Sequence, residues 1–235
     1  MKYVGVDACK GGWFVVGLDE ANHWCVNVFS DIAEVWSRCK TSSLILIDIP
    51  IGLNESNCNE RDCDKAARKL IGHKRGSSVF PVPCRQAVYT DINEASKVNK
   101  EITGRNLSKQ SLGIICKIRQ VDQFLQRNTT ARAHIRETHP EVCFFILNAC
   151  KPMKFSKKTR EGFLERFNVL VSVFPKAEDL IRYSESHFPQ KDVLRDDILD
   201  SLVAAITASK EKIGLSTLPV DPPMDPRGLP MQMIC

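Results

Sequence analysis

The chain has 235 residues, of which 43% are hydrophobic and 26% are charged, which excludes a wholly disordered protein. It has no apolar run of 18 residues, which excludes a membrane-spanning helix, and its first residues do not have the pattern of a signal peptide. Its ten cysteines are too few for a disulfide scaffold of this length. We therefore expect a soluble, cytoplasmic protein with reduced thiols.

The net charge of +5 is unevenly distributed along the chain. Residues 1–60 carry four Lys/Arg against eight Asp/Glu, whereas residues 61–119 carry thirteen against five. The remainder is nearly neutral. A basic middle third predicts a surface that attracts an anion, with nucleic acid as one candidate. A solvated helical face rich in Lys and Arg explains the same pattern equally well.

The first 50 residues are predicted to form four strands and one helix. Short apolar runs on tight connections between Tyr3 and Phe29 predict three strands in an antiparallel meander. Ser30 or Asp31 can cap a short helix, and Leu44–Asp48 is typical of a buried strand. A strand, a helix and a buried strand in this order imply a crossover with parallel pairing, so we expect a mixed α/β sheet.

The rest of the chain is predicted to form one domain over residues 1–235. Residues 54–106 form an insertion with helices near Lys65–Leu70 and Asn93–Glu101, and the proline-rich tail over residues 216–235 is expected to be irregular. The elements between them are predicted to be a helix over Ser108–Arg127, a strand over Ala133–Glu141, and helices over Lys157–Val173, Lys176–Ser186 and Asp192–Lys212, the last capped by Asp192.

Four aspartates lie at positions that can bring them together. Asp7 ends the first strand and Asp48 ends the buried fourth strand, so both project from the sheet edge where open α/β sheets bind ligands. Asp197 and Asp200 are three residues apart on the last predicted helix and share one face. Clustered carboxylates repel one another unless a cation neutralises them, and Mg²⁺ or Mn²⁺ suits oxygen ligands. The competing interpretation is that these acids only end strands and cap a helix.

The chain also resembles a known family through seven spaced motifs. These are GVDACKGGWFVV from Gly5, LILIDIPIGL from Leu44, RGSSVFPVPCR from Arg75, GRNLSKQSLGIICKIRQVD from Gly104, ETHPEVCF from Glu137, KKTREG from Lys157 and DDILDSLVAA from Asp196. Together they resemble the domain-of-unknown-function family numbered 429, whose members are described as predicted ribonuclease-H-like nucleases.

This resemblance implies a ribonuclease-H-like fold with a five-stranded mixed sheet flanked by helices. It also implies metal ligands at Asp7, Asp48 and Asp200, with Asp197 as a further catalytic acid, because related nucleases carry acids on the first strand, near the fourth strand and on the final helix. The string Asp200-Ser201-Leu202 matches the pattern of that helix. The insertion departs from the minimal superfamily core, so the substrate class is not implied.

Other residues are candidates for auxiliary roles. Glu141 follows the predicted fifth strand and is either a further catalytic acid or a cap of the next segment. Cys58 and Cys63 are a weak candidate for a zinc site. The basic residues Arg75, Arg85, Arg105 and Lys109 are candidates for binding substrate phosphates.

Three functional hypotheses follow from these observations. The first is a metal-dependent nuclease that hydrolyses phosphodiester bonds of DNA or RNA with Mg²⁺ or Mn²⁺. The second is a non-catalytic module that binds nucleic acid or nucleotides. The third is an actin-like phosphotransferase. The short chain and the single Asp-turn-Gly motif argue against this third hypothesis.

Overall fold

A five-stranded mixed sheet forms the centre of the computed structural model, which describes residues 1–55 and 59–235. The strands are β1 (Tyr3–Cys9), β2 (Gly12–Leu18), β3 (Trp24–Phe29), β4 (Leu44–Ile47) and β5 (Ile135–Glu137). They lie in the order β3-β2-β1-β4-β5, in which β1–β2 and β2–β3 are antiparallel and β1–β4 and β4–β5 are parallel. The predicted mixed α/β sheet is confirmed, and this arrangement is consistent with a ribonuclease-H-like fold.

Helices cover both faces of the sheet and form most of the insertion. They are α1 (Ile32–Cys39), α2 (Asp62–Ile71), α3 (His73–Gly76), α4 (Arg85–Tyr89), α5 (Ile92–Thr103), α6 (Lys109–Arg127), α7 (Thr129–His134), α8 (Pro140–Leu147), α9 (Arg160–Val173), α10 (Ala177–His187) and α11 (Arg195–Ser209). Within the described part of the chain, every helix is too short or too polar to cross a lipid bilayer.

Alternation along β1 decides which residues face each layer of helices. Val4 and Val6 belong to the apolar cluster that includes residues of α1 and α6, whereas Tyr3 and Cys9 belong to the cluster built around α11. Because side chains alternate between the faces of a strand, Asp7 shares the α11 face with Tyr3 and Cys9. The strand therefore directs this carboxylate toward the last long helix.

Helix α11 lies directly on β1 because Gly5 has no side chain. A Cβ atom on Gly5 would lie 2.0 Å from the Ser201 carbonyl oxygen and 2.3 Å from the Ala205 nitrogen. The Ser201 hydroxyl also donates a hydrogen bond to the Phe14 carbonyl at 3.1 Å, which ties the helix to β2. The backbone of α11 is thus fixed relative to the strands that carry Asp7.

Several predicted boundaries were correct. Asp31 accepts a hydrogen bond from the Glu34 amide at the start of α1, as a helix cap does. The apolar stripe predicted over Ser108–Arg127 forms α6 with Ser108 as its cap. The predicted helix near residue 157 begins three residues later, at Arg160, because Thr159 caps it.

Other predictions about local structure were wrong. The strand predicted over Ala133–Glu141 has only three residues, since α7 precedes it and Pro140 begins α8. Asp192 does not cap the last helix, which begins at Arg195. The tail is not wholly irregular, because strands β6 (Thr217–Leu218) and β7 (Met233–Ile234) pair with each other and its last residues are buried.

We predict that Gly5→Ala destabilises the protein by about 3 kcal/mol or more, because the added methyl collides with the backbone of α11. Gly113→Ala is the matched control, since Gly113 is an exposed position of α6 with no atom within 4 Å of an added Cβ. That control is expected to stabilise by about 0.5–1 kcal/mol. Urea denaturation measures both, and equal stabilities for the two variants would contradict the packing described.

Candidate active site

Asp7 and Asp48 lie side by side at the carboxyl ends of two parallel strands. The register of β1 and β4 pairs Val6 with Ile47, and the Asp48 amide donates to the Val6 carbonyl at 2.9 Å. Both aspartates line a cavity of about 510 Å³. The structure therefore brings together the two strand-end acids, at the edge where ligands bind in open α/β sheets.

Asp200 and Glu141 reach the same cavity from two helices. Asp200 is buried on α11, and Glu141 is the second residue of α8, which begins three residues after the end of β5. Both side chains line the cavity together with the two strand-end acids. Four of the five predicted catalytic acids thus meet in one place.

Asp197, the fifth predicted acid, lies outside the cavity lining. Its carboxylate accepts a hydrogen bond from the Leu194 amide at 2.8 Å, at the first turn of α11. Burial, opposed by this hydrogen bond, raises the pKa of Asp197 to about 7. Its observed contact is therefore that of a helix cap, which is the alternative that the sequence left open.

The pKa values of Asp7, Asp48 and Asp200 lie above those of ordinary aspartates. Burial raises the pKa of Asp7 well above its usual value, and the charges of Asp48, Asp200 and Asp197 raise it further. Burial likewise raises the pKa of Asp48 to about 6; His139 opposes that rise, and Asp200 adds to it. The site therefore has more negative charge than its own groups balance, and a bound cation would relieve that repulsion.

Two basic side chains neutralise two of these acids. The Lys157 ammonium lies 2.6 Å from the Asp200 carboxylate and 3.7 Å from that of Asp196. The fully buried Arg166 donates two hydrogen bonds to one oxygen of Glu141. The other oxygen of Glu141 is buried and has no hydrogen-bond partner among the described residues. It is available to a ligand inside the cavity.

The donor set fits a hard divalent cation. Asp7, Asp48 and Asp200 supply carboxylate oxygens, the ligands that Mg²⁺ and Mn²⁺ prefer, and Glu141 adds an unpartnered buried oxygen. Burial raises the pKa values of Asp7 and Asp48, and neighbouring carboxylates raise them further, so a cation would stabilise their charged forms. Asp7, Asp48 and Asp200 are not among the described residues whose ligand atoms lie within 4.8 Å of one another, so the three carboxylates would draw closer together around an ion.

A second group of acids near the cavity is already neutralised by an arginine. Among the described residues, one group has three possible metal-ligand atoms within 4.8 Å of one another: Cys63, Asp64 and Glu137. The buried Arg61 guanidinium fills this group, since it contacts Asp64 at 2.6 Å and Glu137 at 2.7 Å. Burial also raises the pKa of the Cys63 thiol, which disfavours the thiolate that binds metals. Cys58, the other cysteine of the predicted zinc site, lies outside the described residues.

Only one of the four predicted phosphate-binding residues lines the cavity. Arg75 lies at its rim, whereas Lys109 is exposed at the start of α6 and Arg105 pairs with Glu60 at 3.2 Å. The prediction for Arg85 is corrected, because its buried guanidinium contacts the carboxylates of Glu55, Asp122 and Asp225. Because three carboxylates neutralise Arg85, its charge stabilises the fold and is not free to bind a phosphate.

Lys157 and His139 line the cavity but were not predicted as site residues from the sequence. Lys157 brings positive charge, as does Lys74, and His139 has a buried Nδ1 without a hydrogen-bond partner among the described residues. Lys157 begins the string KKTREG, so the family resemblance marked its segment without marking its role. Lys157 and Asp200 are 43 positions apart in the sequence, so their contact could not be predicted from residue spacing.

One protein-family model matches most of this chain. The model of the family described as protein of unknown function, DUF429, matches residues 5–224. The chain belongs to this family. All the acids that line the cavity fall within the matched residues. Comparison with curated proteins and comparison with solved structures each found no match.

We predict that Asp48→Asn stabilises the metal-free protein at pH 7 by about 1–2 kcal/mol. A pKa raised to about 6 means that the folded state loses stability as pH rises from about 4 to 6, and the amide removes that loss. The partial exposure of Asp48 keeps the gain below the full effect of the shift. Urea denaturation in EDTA at pH 4, 5, 6 and 7 measures it.

Asp122→Asn is the matched control for that prediction. Asp122 is also buried, but Arg85 and Tyr89 contact its carboxylate, so its replacement should destabilise by about 2 kcal/mol or more. Destabilisation by Asp48→Asn of similar size would show that Asp48 is a structural acid.

Proposed function

We propose that this protein is a divalent-metal-dependent nuclease that hydrolyses phosphodiester bonds, with Mg²⁺ or Mn²⁺ held by Asp7, Asp48 and Asp200. One observation carries the proposal: three carboxylates, from two adjacent parallel strands and from α11, meet in a single cavity without enough positive charge to balance them. When bound, such an ion activates water and stabilises the leaving oxygen of a phosphodiester.

The acids of the cavity have different proposed roles. Asp7 and Asp48 project from rigid strands, so they hold an ion in one position, and Asp200 approaches it from α11. Glu141 is an auxiliary acid, because Arg166 orients it and leaves one oxygen free.

The cavity rim has the charge that a nucleic acid needs. Lys74 is exposed at the rim and makes no hydrogen bond or ion pair with any described residue. Arg75 next to it lies half-buried with its guanidinium on the carbonyls of Met153 and Lys154. The positive side chains would bind the phosphates of the nucleic-acid backbone, while the acids of the cavity bind the ion. Nucleic acid is therefore the proposed substrate, as DNA or RNA.

A non-catalytic nucleic-acid or nucleotide binding module is the second candidate. The contact between Lys157 and Asp200 favours it, because an ammonium already neutralises one of the proposed metal ligands. Such a module would bind nucleic acid in a salt-sensitive manner without cleaving it.

We predict that Asp7→Asn abolishes Mg²⁺- or Mn²⁺-dependent cleavage of labelled DNA and RNA oligonucleotides, while the circular dichroism spectrum and thermal transition show a folded protein. The amide keeps the shape of the side chain but removes the charge that holds the ion. Asp179→Asn, an exposed position of α10 outside the cavity, is the control and should retain full activity. Cleavage by Asp7→Asn at the wild-type rate would refute the proposal, and binding without cleavage by the wild type would support the second candidate.

We predict that Lys74→Ala weakens binding of any nucleic acid sequence and lowers the slope of log affinity against log salt by about one, because one phosphate contact is lost. Lys40→Ala removes an equally exposed charge at the end of α1 and should leave both values unchanged. Fluorescence anisotropy in EDTA, over a series of salt concentrations, separates this effect from catalysis. Equal slopes for the two variants would exclude Lys74 from the binding surface.

A further inference from the structure

Lys157 places an ammonium in the acidic cavity, against one of the proposed metal ligands. Its ammonium contacts Asp200 directly and lies near Asp196, and it lines the cavity with Asp7 and Asp48. This inference rests on the proposed function, since it concerns how many ions the same acids hold.

The loop that carries Lys157 is fixed from two sides. Arg75 donates hydrogen bonds to the carbonyls of Met153 and Lys154 at 2.9 and 3.0 Å. From the opposite side, the Glu165 carboxylate accepts hydrogen bonds from the backbone amides of Lys154 and Phe155. The segment before Lys157 is therefore anchored to both α3 and α9.

The segment after Lys157 is equally constrained. Thr159 caps α9 by accepting a hydrogen bond from the Gly162 amide at 3.1 Å. A Cβ atom on Gly162 would lie 1.8 Å from the Ser156 carbonyl oxygen, so the loop packs directly on the helix backbone. Arg166, which orients Glu141, also donates to the Phe155 carbonyl at 3.2 Å. The fold thus delivers the Lys157 ammonium to a defined position.

The ion pairs of the cavity leave two acids without a cation. Contacts with Lys or Arg neutralise four of the six acids that line it: Asp64 and Glu137 through Arg61, Glu141 through Arg166 and Asp200 through Lys157. Within the described residues, Asp7 and Asp48 have no Lys or Arg nitrogen within 4.0 Å. Two adjacent, unpaired carboxylates match the charge of one divalent ion.

We propose that Lys157 is a positioning residue that provides the second positive charge of the centre, so that the protein binds a single divalent cation at Asp7 and Asp48, with Asp200 shared between that cation and the ammonium. The ammonium holds Asp200 in place and excludes a second ion from that side of the cavity. Glu141 lines the same cavity, and its buried second oxygen has no hydrogen-bond partner among the described residues.

Calorimetric titration of Mn²⁺ into the purified full chain tests this proposal without measuring cleavage. The wild type should bind one ion per chain. Lys157→Met should bind Mn²⁺ about tenfold more tightly or better, because Asp200 regains an unbalanced charge beside the ion. Lys151→Met is the matched control, since this lysine is exposed, lies outside the cavity lining and makes no ion pair with any described residue. Its affinity should stay within about twofold of the wild type, because exposed charges are screened.

A second variant keeps the test independent of folding. Lys157→Gln retains most of the length and polarity of the side chain, and urea denaturation in EDTA shows whether either variant is folded. Both variants should lose stability in EDTA, since Asp200 loses its partner, and should regain it when Mn²⁺ is added.

The possible results separate this proposal from the nuclease proposal. Two ions per wild-type chain, or equal affinities for the wild type and both Lys157 variants, would overturn the role of Lys157 and leave a metal-dependent nuclease standing. Mn²⁺ binding by the Lys157 variants but not by the wild type, or by none of these proteins, would overturn both proposals.

Discussion

The contact of helix α11 with strand β1 at Gly5 is the constraint on which the rest of the site depends. The strand and helix backbones meet there without an intervening side chain, which fixes the direction of the helix relative to the sheet. Asp7 lies two residues after Gly5 on the same face of β1, and Asp200 lies one residue before Ser201, which Gly5 contacts. The packing of the core therefore brings together acids that are almost two hundred positions apart.

Buried charges in this protein fall into two kinds. Arg61 and Arg85 each neutralise at least two carboxylates. Arg61 attaches the insertion to β5 through Glu137, and Arg85 attaches the insertion to α6 and to the tail through Asp122 and Asp225. Asp7 and Asp48 have no such partner among the described residues, and their pKa values are raised chiefly by burial and further by neighbouring carboxylates. Uncompensated acids of this kind lower stability and are typical of functional sites.

The sequence predicted those parts of the molecule that depend on local pattern. Apolar alternation gave the strands, a cap at Asp31 gave the start of α1, and the position of Asp48 after a buried strand predicted its place beside Asp7. Contacts between distant segments were not predictable in this way. The ion pair of Lys157 with Asp200 and the burial of Arg85 by tail and helix carboxylates depend on tertiary packing, which residue spacing does not encode.

The most direct test of the central claim is the location of Mn²⁺ in crystals of the protein, by anomalous scattering. The account predicts one peak within coordination distance of the Asp7 and Asp48 carboxylates, with Lys157 still in contact with Asp200. A peak at Cys63, Asp64 and Glu137, or no peak at a saturating concentration of Mn²⁺, would contradict it.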